Sequence, residues 1–199
     1  MLQSASNVET APVVKRKRPH PGERRTQILQ VLSQMLEEPS PNRMTTSALA
    51  QRLGVSEAAL YRHFASKAQM FEALIEFIEN SMAGQLTLIA QTETAGPAHA
   101  RRIVTMALQF GEKNPGMSRV MVGDALVYEH ERLQQRMNQF FDKFETALRH
   151  GLRDRPDSHA QTSASTLTAF VIGRLQRFAR SGFRCSPTER LDDCLAILL

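Results

Sequence analysis

The stretch TTSALAQRLGVSEAALYRHFASK, residues 45–67, decides the fold. Thr46, or Thr45 beside it, is an N-cap for a first helix running to about Leu53. Gly54 supplies the left-handed residue that ends that helix, and Ser56 caps a second one. Val55 precedes this cap and can pack against the first turn that follows. Leu49, Leu53, Leu60 and Phe64 recur at three- and four-residue spacings and form one buried face. Ala50 is small where the two backbones must approach. The stretch therefore reads as two short helices joined by a tight turn.

With Leu60 and Phe64 inside, helical geometry puts Ala58, Tyr61 and Arg62 on the solvent side. A methyl, a phenol and a guanidinium beside a serine cap suit a helix that enters a DNA major groove. Tyr61, Lys67 and the capping hydroxyls of Thr45, Thr46 and Ser56 are of the types that contact phosphate. The same spacing also fits an ordinary surface helical hairpin.

Charge separates the two readings. Residues 15–67 hold ten Lys or Arg against four Glu, a net +6, whereas residues 68–199 are balanced and the first fourteen carry −1. The positive excess thus lies on and just before the helical pair, the footprint of a polyanion binder. Pro12, Pro19, Pro21 and Gly22 mark residues 1–23 as a flexible arm. Its run Lys15, Arg16, Lys17 and Arg18 is placed to follow phosphates or enter a minor groove, the alternative being a solvated tail of no consequence.

The string VSEAALYRHFASK, residues 55–67, closely resembles the recognition-helix signature of the TetR family of bacterial DNA-binding proteins. The resemblance implies an all-α fold: an N-terminal three-helix helix-turn-helix domain and a C-terminal helical dimerisation domain. It also adds His63, the signature's phosphate-facing or packing residue, to the DNA-contacting set.

The remaining sequence fits that plan. Ile28, Leu29, Leu32, Met35 and Leu36 give residues 24–38 one apolar face, ended by Pro39 and Pro41. Ser66 caps a helix of about twenty-five residues, too long for a small domain alone. Domains are accordingly expected at 24–66 and 67–199. Helices are also expected at 98–112, around 118–122, at 125–153 and 161–180, and after Pro187, with Asn114-Pro115-Gly116 as a turn. Helices 125–153 and 161–180 either pack with their copies as a four-helix bundle across a two-fold axis or close the monomer's own core. A dimer suits two half-sites about 34 Å apart.

Beyond the signature, MFEALIEFIENS (70–81), FGEKNPGMSRVMVGDALVYEHERLQQRMNQFF (110–141) and RFARSGFRCSPT (177–188) resemble the nucleoid-occlusion members of the same family. This resemblance implies a homodimer on palindromic chromosomal double-stranded DNA, higher-order on the DNA. In that state it would bind the C-terminal tail of the division protein FtsZ and disrupt FtsZ assembly over the chromosome. The tail would lie in a groove between helices 67–90 and 98–112, touched by Phe77, Met106, Gln109, Lys113 and Met117. Lys113 and Gln109 stand where those relatives have arginine and glycine. Phe77 and Met106 are also plausible as ordinary core.

No catalytic, cofactor or metal constellation is legible. Histidines 20, 63, 99, 130, 150 and 159 are scattered, and the paired acids Asp192/Asp193 and Glu129/Glu131 read as solvated faces. No apolar run spans a bilayer, no secretory signal opens the chain, and Cys185 and Cys194 read as reduced thiols, all consistent with a cytoplasmic, nucleoid-associated protein. The competing function is a small-molecule-responsive repressor, in which the Met and Phe positions of the second domain would line a cavity.

Overall fold

The computed structural model describes residues 21–38, 44–154 and 156–199. Among these the fold is all-helical, with no strand. The basic run at residues 15–18 lies outside the described residues.

Three helices build the first domain: α1 (Pro21–Glu37), α2 (Thr46–Leu53) and α3 (Glu57–Tyr61). Helix α1 starts three residues before the expected boundary, because a proline is preorganised for a first helical turn and lacks only a donor that is unpaired there anyway. The α2 cap is Thr45, whose side-chain oxygen accepts from the Ala48 N–H at 3.1 Å. Gly54 then takes φ 65°, and the Val55 N–H reaches back to the Ala50 carbonyl at 3.0 Å, closing the helix end in a Schellman turn. Ser56 caps α3 through the Ala59 N–H at 3.3 Å. Ile28, Leu32, Leu49, Leu60 and Phe64 close the core between them, each almost fully buried. A side chain the size of Phe64 contributes about 1.5–3 kcal/mol by leaving water.

Helix α4 (Lys67–Thr92) runs on into the second domain, and its Met70, Phe71, Leu74, Ile75, Ile78, Met82 and Ile89 are buried along its length. Ser66 caps it through the Gln69 N–H, while the Gln69 side chain accepts from the Ala65 N–H. The second domain continues with α5 (Pro97–Lys113), α6 (Pro115–Met121), α7 (Glu131–Gly151), α8 (Asp157–Arg180) and α9 (Leu191–Leu198). Helices α7 and α8 are antiparallel neighbours, and α5 and α6 pack between them and α4.

Three boundaries differ from the periodicity. The Asn114-Pro115-Gly116 turn is the start of α6, with Pro115 in its first turn. The helix expected from residue 125 is broken: Gly123 takes φ 79°, a single 3-10 turn spans Asp124–Leu126, and α7 begins only at Glu131 under a His130 cap. Helix α8 begins at Asp157, directly behind Pro156.

The two domains meet where α6 crosses α1. Gly116 is buried there, and a Cβ on it would stand 2.3 Å from the Ser33 carbonyl oxygen. Gly84, on α4, has open space around the same position. Gly116→Ala is therefore expected to lower stability by about 1–3 kcal/mol, the usual range for overpacking. Gly84→Ala should raise it by up to about 1 kcal/mol through helix propensity. Urea unfolding of both variants checks the opposite signs.

Candidate nucleic-acid interface

Helix α3 turns Leu60 into the core and leaves Ala58, Tyr61 and Arg62 exposed, as its spacing requires. Thr45 and Ser56 are exposed at the N-termini of α2 and α3, each using its hydroxyl oxygen as a cap. These five residues form one exposed surface across the two short helices. Thr46 lies slightly deeper. Its hydroxyl donates to Glu57 Oε2 at 2.7 Å and receives a long contact from the Tyr61 hydroxyl at 3.5 Å, so it braces α2 against α3.

His63 is half-buried at the end of this surface, and its carbonyl accepts from the Arg25 guanidinium at 2.8 Å. The same guanidinium lies 4.0 Å over the Phe64 ring. Arg25 therefore ties α1 to the end of the recognition unit, a role that sequence reading missed. Nothing in α1, whose two arginines are matched by two glutamates, signalled a partner thirty-eight residues away.

Lys67 departs from the expected free phosphate contact. Its ammonium is part-buried, donating at 2.5 Å both to the Met44 carbonyl and to Glu129 Oε1, with the Phe71 ring 5.7 Å away. Glu129 in turn is not on a solvated face: its side chain is only 8% exposed. The break at Gly123 allows this, since a continuous helix from residue 125 would not deliver Glu129 from a loop. Two further pairs join α4 to α7: Glu72 with Arg132 at 2.8 Å and Glu79 with Arg136 at 2.5 Å. The hydrogen bonds that Arg136 donates to Glu79, with the charges of Glu79, Glu76 and Glu72 adding to them, hold its guanidinium pKa above the ordinary value despite partial burial.

A second surface lies between α4 and α5. Phe77 is 49% exposed, and its ring stands 6.3 Å from that of half-buried Phe110. Half-buried Met106 and exposed Gln109 and Lys113 share the Phe110 side of α5, at helical spacing. Met117 does not join them. It is 5% exposed, because α6 turns inward at Pro115 to cross α1 and carries Met117 into the core. Phe110 was overlooked, although its spacing from Met106 and Lys113 marks it as their neighbour. Exposed Leu88 continues the Phe77 face three turns along α4.

Among the described residues, no three His, Cys, Asp or Glu side chains converge as metal ligands. No described helix is long and apolar enough to cross a membrane.

Residues 28–74 match the tetR family of bacterial regulatory proteins, and residues 98–199 match the SlmA-like form of the tetracyclin repressor-like C-terminal domain. The nucleoid occlusion factor SlmA of Marinomonas sp. (strain MWYL1) is 48% identical over 174 residues, covering 84% of this chain and 88% of its own. That of Pectobacterium carotovorum subsp. carotovorum (strain PC1) is 49% identical over 177 residues, covering 85% and 89%. The chain belongs to the SlmA group of the TetR family. Solved TetR-type structures share the fold at much lower identity. The MbdR regulator from Azoarcus sp. CIB has a TM-score of 0.74 at 17% identity, covering 88% of this chain and 97% of its own. A transcriptional regulator from Rhodococcus sp. Rha1 has a TM-score of 0.71 at 22% identity, covering 87% and 92%.

Within this SlmA-group chain, Arg62 is exposed on the recognition helix and takes no part in its core. Arg62→Ala is expected to weaken DNA binding by about 1–3 kcal/mol while leaving the melting temperature unchanged. Filter binding at fixed salt and thermal unfolding check the two halves of that statement.

Proposed function

We propose that this protein is a nucleoid occlusion factor: a dimer that binds palindromic chromosomal DNA and, when bound, disrupts FtsZ assembly there. The observation that carries the reading is the extent of the similarity to SlmA proteins. It runs through the second domain as well as the helix-turn-helix, at 48% identity over 174 residues for the Marinomonas protein. A shared DNA-binding module alone would leave the second domain free to diverge.

The basic arm, with Lys15, Arg16, Lys17 and Arg18, is proposed to follow the DNA backbone beside the recognition helix. The exposed row Ser165, Ala169 and Gly173 on α8, flanked by half-buried Phe141 and Phe170, supports a dimer in which α7 and α8 pack against their copies. Small side chains there let two helix backbones approach closely.

The α4–α5 groove is the proposed seat of the FtsZ tail, with Phe77, Phe110 and Met106 for its apolar residues and Lys113 for its acidic ones. Gln109 lies on the same rim. Met137, Phe140 and Phe144, which a ligand cavity would need as lining, are instead buried in the core cluster. This packing favours a protein-binding surface over a small-molecule sensor.

The test combines the purified protein, FtsZ and GTP, with and without duplex DNA selected by binding from the source chromosome. Loss of polymer by sedimentation is expected to appear or strengthen with the DNA present. Phe77→Ala is expected to abolish that loss while binding the same duplex with unchanged affinity. FtsZ polymer untouched by the DNA-bound parent protein would overturn the reading and point to a repressor.

A further inference from the structure

The Lys67 ammonium sits in an unusual electrostatic position. It belongs to the first residue of α4, and it touches the carbonyl of Met44, the residue just before the Thr45 cap of α2. It is therefore gathered at the positive ends of two helices, where peptide dipoles favour an anion and disfavour a cation. Such a focus of ammonium and helix N-termini calls for a negative group. In the free protein that group is the Glu129 carboxylate, 2.5 Å from Lys67 Nζ.

This is also the side of the domain that carries the proposed DNA surface. Thr45, next to Met44, is exposed there, and Lys67 follows the recognition helix by six residues. A backbone phosphate arriving at the α2 N-terminus would meet the same ammonium that Glu129 holds. Glu129 comes from the short segment between the 3-10 turn and α7, where neighbouring Val127 is 67% exposed.

We propose that Glu129 is an internal stand-in for a DNA phosphate: it holds Lys67 in the free protein, and DNA binding transfers Lys67 from the carboxylate to the backbone. The transfer frees the segment 127–130. The Lys67–Glu129 pair is the first rung of a ladder along α4 and α7, followed by Glu72–Arg132 and Glu79–Arg136. Its polarity is reversed, since here alone of the three rungs the cation is on α4. Release of that rung loosens the start of α7 against α4, within a few turns of Phe77. This deepens the nucleoid-occlusion reading, on which it rests for the output, by naming how occupancy of DNA reaches the second domain. By linkage, whatever holds Glu129 in place must weaken DNA binding to the same degree.

The experiment measures affinity for a duplex selected from the source chromosome, using full-length parent, Glu129→Gln, Lys67→Gln and the double variant. Glu129→Gln removes the competing charge and is expected to tighten binding by about five-fold or more, within the usual range of coupling between sites. In the Lys67→Gln background the same change is expected to have no effect. In the unmodified protein, hydrogen exchange of amides 124–131 should accelerate when DNA is added. Weaker or unchanged binding by Glu129→Gln would overturn the proposal, since a purely structural tie would loosen the recognition helix. Unaltered or slowed exchange at 124–131 would overturn it as well. Should Glu129→Gln fail to fold, Glu129→Asp shortens the reach and is expected to tighten binding to a lesser extent, while the exchange experiment needs no variant. Neither readout contains FtsZ, so their failure is distinct from failure of the occlusion reading.

Discussion

Helix α4 is the constraint on which the rest of the molecule depends. Its first turns, with Met70 and Phe71, complete the core beneath the recognition unit, and its later residues Ile78, Met82 and Ile89 belong to the second domain. Three short helices cannot bury enough apolar surface to be rigid alone. By sharing α4, the first domain gains a wall it could not build, and the orientation of the recognition helix becomes a property of the whole chain. The close approach of Gly116 to Ser33 adds a second joint at the α1–α6 crossing.

Charge is arranged around this shared helix in two ways. Outward-facing groups such as Arg62 remain in water, where their attraction for a polyanion is long in range and sensitive to salt. Other groups form the rungs between α4 and α7, from the largely buried Lys67–Glu129 pair to Glu72–Arg132, whose arginine is half exposed. Lys67 is the point at which the two arrangements meet: its sequence position is that of a surface cation, and its geometry is that of an interdomain tie. A charge in such a place responds to whichever anion lies nearest, which makes it suited to report DNA to the second domain.

The proposed FtsZ groove obeys a different rule. Phe77 stays half in water because its neighbours on α4 bury the opposite stripe, and Phe110 rises from α5 to meet it. Exposed aromatic surface of that kind is costly unless a partner covers it, and Lys113 sets the sign of charge that such a partner should carry.

The sequence by itself determined the helix-turn-helix almost residue by residue. Caps, a left-handed glycine and three- and four-residue apolar spacing are local devices, and Thr45, Gly54, Ser56 and Ser66 act as their chemistry dictates. It also determined which side of α3 faces solvent, because helical geometry leaves no choice once Leu60 and Phe64 are inside. What only tertiary structure decided were relations between distant segments: Arg25 on the carbonyl of His63, Met117 turned into the core, Phe110 beside Phe77, and Glu129 on Lys67. None of these follows from periodicity. Each depends on how helices cross, and a crossing angle is set by the packing of two surfaces at once, which no single stretch of sequence contains.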